Sequence, residues 1–157
     1  MKPLDGQCLC GAIAFRLKGR PLTLYACHCT DCQRRTGSAF AMSLIMRADE
    51  VELLRGTPRH YTAALPDGRS KNGVLCVACG TRLWGEPARA PTVRVVQPGN
   101  LADTRWVRPV AHQWTRSALP WIVFPPDVAT FEQAPPARAV FDLWTQRGID
   151  WDPSSPA

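Results

Sequence analysis

Two stretches of the sequence decide the fold, Gly-Gln-Cys-Leu-Cys-Gly at residues 6–11 and Cys-Val-Ala-Cys-Gly at residues 76–80. In an extended segment residues i and i+2 face the same way, so Cys8 and Cys10 can aim at one ion. Cys76 and Cys79 can do the same from a tight turn that Gly80 closes. Structural zinc takes four such ligands in a tetrahedron. The two pairs therefore predict a closed metal site that clamps the N-terminal segment to the middle of the chain.

A third group, Cys-His-Cys-Thr-Asp-Cys at residues 27–32, contains the remaining cysteines of the seven in the chain. No cysteine is left over to act as a fourth ligand, and catalytic zinc sites hold three protein ligands with an open position. We therefore predict two zinc ions per chain, one structural and one catalytic, the latter bound by Cys27, Cys29 and Cys32. Two alternatives stay open: His28 or a distant residue completes the site, or the group is metal-free.

His28 lies between two of these cysteines, where an extended backbone would turn its ring away from the metal. We expect it to be a hydrogen-bonded structural residue. Cys32 falls near the start of a short helix and close to Arg34 and Arg35, whose charge would favour its thiolate. These arginines could also bind substrate carboxylates. The alternative is that both arginines are only solvated surface.

The charge of a three-cysteine site indicates the chemistry that it favours. Zinc with three thiolates is net negative, so it generates hydroxide poorly. An incoming thiol would instead lose its proton and remain nucleophilic, as is needed to attack an aldehyde carbon. The site is therefore predicted to act on thiol substrates.

Composition limits the class of protein. The 157 residues fit one domain, and 15 prolines and 11 glycines with few long helical patterns predict a mainly β fold. Residues 1–11 do not resemble an export signal, and no apolar stretch is long enough to cross a membrane, so we expect a cytoplasmic protein. In that reducing compartment an odd number of closely spaced cysteines favours metal binding over disulfides. The net charge of +6 comes mainly from scattered arginines and does not by itself indicate nucleic acid.

Short apolar runs separated by Pro and Gly turn signals predict strands and one helical turn. The turn begins at Thr30 or Asp31 and stops near Gly37. The predicted strands are Ala12 to Leu17, Leu22 to Ala26, Phe40 to Met46, Val51 to Leu54, Arg59 to Thr62, Val74 to Cys76, Thr81 to Trp84 and Val93 to Gln97.

The C-terminal part of the chain has a different pattern. Prolines beyond Pro120 indicate a segment that wraps over the sheet without joining its middle. Val140, Leu143 and Trp144 follow at helical spacing, which predicts an amphipathic helix between Arg138 and Arg147 and then a frayed tail at residues 152–157.

The cysteine motifs resemble those of the glutathione-dependent formaldehyde-activating enzyme family, also called the centromere protein V family. The resemblance covers roughly Gly6 to Phe131 and rests on Gly6 to Gly11, Cys27 to Arg34 with Gly37, Cys76 to Thr81, and a weaker tail of Pro98 to Asp103, His112, Trp114, Ser117 and Trp121.

This resemblance implies a zinc β-tent fold of two stacked antiparallel sheets, which we place at residues 1–136. Residues 137–157 lie outside the resemblance, and we expect them to form the C-terminal helix and tail, packed on this domain or extending from it. The resemblance implies a structural site at Cys8, Cys10, Cys76 and Cys79 and a second, catalytic site at Cys27, Cys29 and Cys32. It also implies a carbon-sulfur lyase that acts on S-(hydroxymethyl)glutathione, the adduct of glutathione and formaldehyde.

Two other functions compete with the lyase. One is a non-catalytic zinc module for a protein or nucleic-acid partner; it is disfavoured because no basic run alternates with aromatic residues. The other is a redox sensor that loses zinc when the cysteines at residues 27–32 are oxidised. The sequence leaves the thiol substrate and the oligomeric state open. It also singles out no proton-transfer residue among His28, His60 and His112.

Overall fold

The computed structural model describes residues 3–136 and 138–147, which fall into two compact units. The first unit contains residues 3–21 and 44–106, and the second contains residues 22–43 and 107–147. Strands account for 36% of the chain and helices for 17%, and the strands form two sheets. The prediction of a mainly β fold with two sheets is confirmed.

In the first unit, three antiparallel strands form a small sheet in the order β1 (Leu4–Gln7), β2 (Ala14–Leu17) and β5 (Val51–Arg55). Phe15 and Leu17 are buried, whereas the alternate residues of β2 are only half-buried. This alternation is the period-2 pattern that the sequence showed, and it gives the sheet one apolar face.

Further strands of the first unit pair antiparallel in the order β4, β9, β8, β7 and β6. Their bounds are β4 (Ala41–Arg47), of which residues 44–47 belong to this unit, β6 (Arg59–Ala64), β7 (Ser70–Leu75), β8 (Arg82–Gly85) and β9 (Val93–Val96). The ring of Phe15 in β2 meets the ring of Trp84 in β8 edge to face, with centroids 5.7 Å apart. This contact packs the small sheet on these strands.

The second unit has three short strands, in the order β11 (Ala129–Phe131), β10 (Ala111–Gln113) and β3 (Thr23–Cys27). Both neighbours of β10 run parallel to it, which differs from the antiparallel pairing that was expected. The connections explain the difference: residues 114–128 return the chain to the start of the next strand, as parallel pairing requires. The Pro-rich segment thus contributes β11 at the end of this order.

Two α-helices complete the second unit, α1 (Thr30–Thr36) and α2 (Ala139–Gln146). The buried hydroxyl of Thr23 donates to the carbonyl of Val140 at 2.7 Å, which fixes α2 against β3. Val110, Ala111 and Val140 form the core there. The C-terminal helix is therefore confirmed, while the predicted frayed tail at residues 152–157 lies outside the described residues. The domain boundary at residue 136 stays a prediction.

The predicted strands and the helical turn are found with ends shifted by a few residues, whereas β1, β10 and β11 were not predicted. The strands β10 and β11 have three residues each, which is too few to show a period. Among the described helices, none has the length and apolar content that a membrane span needs.

We expect Phe15→Ala to lower the free energy of unfolding by about 3–5 kcal/mol, because it removes a fully buried ring from the packing of the small sheet. Leu53→Ala is the matched control, since Leu53 is the register partner of Phe15 but is 44% exposed. Its effect should stay within about 0.5 kcal/mol. Urea denaturation measures both, and equal losses would contradict the packing described above.

Candidate metal centres

The first cysteine cluster lies in the first unit. The sulfur atoms of Cys8, Cys10, Cys76 and Cys79 all lie within 4.8 Å of one another. The Sγ atoms of Cys8 and Cys10 are 3.6 Å apart, and those of Cys10 and Cys76 are 3.8 Å apart. A tetrahedron with zinc–sulfur bonds of about 2.3 Å has sulfur–sulfur edges of roughly 3.8 Å. The spacing of these sulfurs therefore fits one zinc ion.

Both cysteine pairs of this cluster sit on tight turns that glycine closes. The amide of Gly11 donates to the carbonyl of Cys8 at 3.0 Å, and that of Gly80 to the carbonyl of Cys76 at 2.8 Å. The φ angles of Gly11 and Gly80 are 73° and 72°, a region that glycine enters without strain. The turn at Cys76 confirms the prediction. The extended backbone expected for Cys8 and Cys10 is wrong, because the chain reverses there to enter β2.

Further hydrogen bonds orient the sulfurs of this cluster. The amide of Ile13 donates to the Sγ of Cys8 at 3.2 Å. The hydroxyl of Thr81 lies 3.1 Å from the Sγ of Cys79 and also accepts the amide of Leu9 at 3.1 Å. This hydroxyl is the main cause that lowers the pKa of the Cys79 thiol to about 6. Thr81 therefore ties one cysteine turn to the other and favours an ionised ligand.

The second cysteine cluster lies in the second unit. Cys27 is the last residue of β3, Cys29 immediately precedes α1, and Cys32 lies in the first turn of that helix. The three sulfurs lie within 4.8 Å of one another, and no fourth Cys, His, Asp or Glu atom joins them among the described residues. Cys27 is buried, whereas Cys29 and Cys32 are half-buried. This set could hold a metal ion with one open position on the side of the two more accessible cysteines.

The helix that carries Cys32 begins and ends close to the predicted positions. Its N-terminal cap is Cys29, one residue before Thr30 and two before Asp31, the two predicted caps, and no side chain caps it. Gly37 ends it with a φ of 65°, and its amide donates to the carbonyl of Gln33 at 2.8 Å.

The thiols of the second cluster oppose one another's ionisation. Contacts with the sulfurs of Cys29 and Cys32, followed by burial, raise the pKa of the Cys27 thiol. For Cys32, the contact with Cys27 lowers the pKa, but Cys29 and burial outweigh it, so the pKa of Cys32 is raised despite the charge of Arg35. Arg35 therefore lowers the pKa of the Cys32 thiol, as expected, but the neighbouring sulfur of Cys29 and burial outweigh this effect. A bound cation would remove this opposition.

His28 is fully buried and makes a hydrogen bond from its Nε2 to the Nδ1 of His112 at 2.9 Å. The rings of Phe40 and Phe124 pack on it, with centroids at 5.1 Å and 5.4 Å. The prediction that His28 is hydrogen-bonded is confirmed. Its partner was missed, because 84 residues separate the two histidines and no local pattern relates them.

A turn beside the second cluster was also missed. Trp114 follows β10 with a φ of 61°, and among the described residues it alone has a positive φ without being glycine. Its carbonyl accepts the hydroxyl of Ser117 at 3.1 Å, and the guanidinium of Arg116 lies 4.8 Å from its ring centroid. Such strain is typical of functional sites, but no signal in the sequence distinguishes this tryptophan from the others. By contrast, His60 is an exposed residue of the first unit that pairs with Glu86 at 3.0 Å.

A shallow groove of about 530 Å³ lies in the first unit next to Cys8 and Thr81. It contains no residue of the second cluster, and none of its contacts points to a ligand, so it is assigned no part in the chemistry.

The chain is similar to known proteins over much of its length. A family model described as "Glutathione-dependent formaldehyde-activating enzyme" matches residues 3–117. A protein of Halomonas elongata, whose name assigns it provisionally to that activity, is 29% identical over 92 residues, which cover 56% of this chain and 59% of that protein. The chain thus matches only about three-fifths of that relative's length. A crystal structure of a Rhodobacter sphaeroides protein covers 81% of this chain and 98% of its own, with 18% identity and a TM-score of 0.48.

We expect Thr81→Val to speed the loss of metal from the first cluster by roughly 10–100-fold, since it removes a hydroxyl that orients Cys79 and the turn at Leu9. Thr81→Ser is the matched control because it keeps the hydroxyl. Zinc release to a chromophoric chelator measures the rate. Equal rates in the two variants would show that the hydroxyl does not support the cluster.

Proposed function

Since this chain belongs to the family of glutathione-dependent formaldehyde-activating enzymes, we propose that it is a zinc-dependent carbon-sulfur lyase. The proposed substrate is the adduct of a small thiol and an aldehyde, with S-(hydroxymethyl)glutathione as the first candidate. The observation that supports this most is the three-sulfur cluster of Cys27, Cys29 and Cys32, which has no fourth ligand atom among the described residues. We place the reaction in the cytoplasm, whose reducing conditions keep such thiols unpaired.

The two clusters have different proposed roles. Cys8, Cys10, Cys76 and Cys79 would hold a structural zinc ion, because four sulfurs at tetrahedral spacing leave no position for a substrate. Cys27, Cys29 and Cys32 would hold the second, catalytic ion. A zinc ion bound there would supply an open position at which a thiol loses its proton and stays nucleophilic.

The three cysteines of the second cluster differ in burial and therefore in their proposed roles. Cys27 is 5% exposed and lies at the end of a strand, so it anchors the cluster in the unit. Cys29 and Cys32 are half-buried and form the side from which a substrate can approach. The amide of His28 donates to the carbonyl of Gln113 at 2.9 Å, which holds the segment between Cys27 and Cys29 to β10. The sulfurs are thus set before a substrate arrives.

The proposed reaction forms or breaks one carbon–sulfur bond and transfers one proton between sulfur and oxygen. In the synthetic direction the thiol loses its S–H proton and its sulfur attacks the aldehyde carbon. A carbon–sulfur bond forms as the carbonyl π bond breaks, and the proton ends on the former carbonyl oxygen. The lyase direction breaks the same bond and returns the proton to sulfur. No external oxidant or reductant is needed, because neither direction changes the oxidation level of the carbon or of the sulfur.

Arg35 is the proposed contact for a carboxylate of the thiol substrate. Its guanidinium Nη2 lies 4.0 Å from the Sγ of Cys32, whereas the neighbouring Arg34 is exposed. A cation at this distance from the sulfurs can bind an anionic group of a substrate whose own sulfur reaches the cluster. Glutathione has carboxylates at both of its ends, so it meets this requirement.

We expect Cys29→Ser to abolish turnover of glutathione and formaldehyde and to reduce bound zinc from two ions per chain to one. The reason is that it removes a ligand from the more accessible side of the second cluster. Metal analysis of the parent and the variant, with and without glutathione, measures the content. Cys79→Ser is the control, which should lose the other ion. One zinc in both the parent and Cys29→Ser would overturn the lyase proposal in favour of a structural or redox role.

We expect Arg35→Gln to reduce kcat/KM for glutathione roughly tenfold, mainly through KM, because a charge-assisted hydrogen bond to a carboxylate contributes about 1.5–3 kcal/mol before solvent screening. Cysteamine, a thiol without a carboxylate, should be affected little. Arg34→Gln is the matched control. If both thiols lose activity to the same extent, Arg35 supports the cluster and does not bind a carboxylate.

A further inference from the structure

We propose that His28 and His112 form a positioning pair that aims the sulfurs of Cys27 and Cys29 at a common metal ion, and that neither histidine is itself a ligand. The inference rests on the proposed metal site at the second cluster. It assigns a role to two buried side chains that the proposed chemistry does not use.

His28 is fixed at every polar group except one. Its amide donates to the carbonyl of Gln113 at 2.9 Å. Its carbonyl accepts hydrogen bonds from the side-chain amide of Gln33 at 2.8 Å and from the hydroxyl of Ser117 at 3.1 Å. Its ring Nε2 pairs with His112, while Nδ1 has no hydrogen-bond partner. Nε2 is therefore the one ring nitrogen of His28 that a hydrogen bond holds in place.

The direction of the neighbouring sulfurs follows from this fixed ring. Cys29 precedes α1 with a φ of −63° and a ψ of 152°, and Cys27 ends a strand, so the backbone enters and leaves His28 in extended conformations. Side chains alternate along such a segment. With the imidazole in the core, the two flanking sulfurs are directed to the opposite side, where Cys32 lies within 4.8 Å of both.

A side chain needed only to fill space would not be a histidine here. The rings of Phe40 and Phe124 surround His28 with centroids at 5.1 Å and 5.4 Å. A phenylalanine would fill such surroundings without the cost of burying two ring nitrogens, one of them unpaired. The gain from histidine is a directional bond, which fixes the rotation of the ring as packing alone does not.

His112 is suited to supply this bond. It lies in β10, where it is the register partner of Ala26, and it is 9% exposed. Phe124 packs on its ring as well, with centroids 5.1 Å apart. The pair thus connects the cysteine segment to the neighbouring strand through side chains, next to the backbone bond from His28 to Gln113.

The test compares metal affinity at the two clusters in His112→Phe and His112→Asn. Phenylalanine keeps the aromatic shape but removes the bond, whereas the asparagine amide can stand in for Nδ1. The zinc that each protein retains is measured as the chelator concentration is raised. The release step that is present in the parent protein but absent in Cys29→Ser belongs to the second cluster. His60→Phe, at an exposed histidine of the first unit, is the control.

We expect His112→Phe to weaken zinc binding at the second cluster by about 10–100-fold, the usual effect of losing an outer contact of a metal site. The first cluster should keep the parent affinity, and His112→Asn should recover most of the loss. With cobalt in place of zinc, the absorption bands of the second cluster should shift in the phenylalanine variant alone. A merely structural histidine would lower the unfolding temperature without changing these bands.

Three results would overturn the inference. The first is a zinc affinity of the second cluster in folded His112→Phe that equals that of the parent protein. The second is an equal loss of zinc affinity at both clusters, and the third is an equal loss in His112→Phe and His112→Asn. If His112→Phe does not fold, His28→Phe replaces it because it also keeps the aromatic shape and removes the bond, and unchanged cobalt bands in that variant would count equally against the pair. A parent protein with no metal at the second cluster would remove the proposed function as well. A parent that binds metal but lacks lyase activity would affect the proposed function only.

Discussion

The convergence of two cysteine turns is the constraint on which the first unit depends. The sulfurs of Cys10 and Cys76 lie 3.8 Å apart although 66 residues separate them in the chain. Closing a loop of that length costs entropy, and the binding of one ion by four ligands would offset this cost in a single step. The strands between the turns then need to bury only a modest core, which agrees with the exposed residues of β5 and β6.

The second unit holds three sulfur atoms together without a fourth ligand atom among the described residues. In the absence of a cation the thiols of Cys27 and Cys32 have raised pKa values, since neighbouring sulfurs and burial oppose the charged form. The polypeptide must therefore impose the geometry. It does so through the end of β3, the start of α1, and the buried contact between His28 and His112.

These two arrangements suit the two proposed roles. A cluster whose positions are all filled by protein contributes stability, whereas a cluster with an accessible side can accept a substrate atom. Arg35 lies beside Cys32, and the strained turn at Trp114, with Arg116 stacked on it, follows β10, which pairs with the strand that ends at Cys27. None of these three residues belongs to the set of sulfurs that could hold the metal. Substrate preference within such a fold can therefore change without any change in the metal ligands.

The sequence by itself determined the three cysteine groups, the glycine turn after Cys79 and the amphipathic C-terminal helix, because each is encoded by spacing within a few residues. It also indicated most of the strands, whose alternation extends over four or more positions. Only the tertiary structure decided that β10 runs parallel to β3, that His112 meets His28, and that Trp114 adopts a left-handed backbone. Strand pairing and side-chain contacts between residues 84 positions apart depend on how the whole unit packs, and a short strand or a single tryptophan has no local pattern that records it.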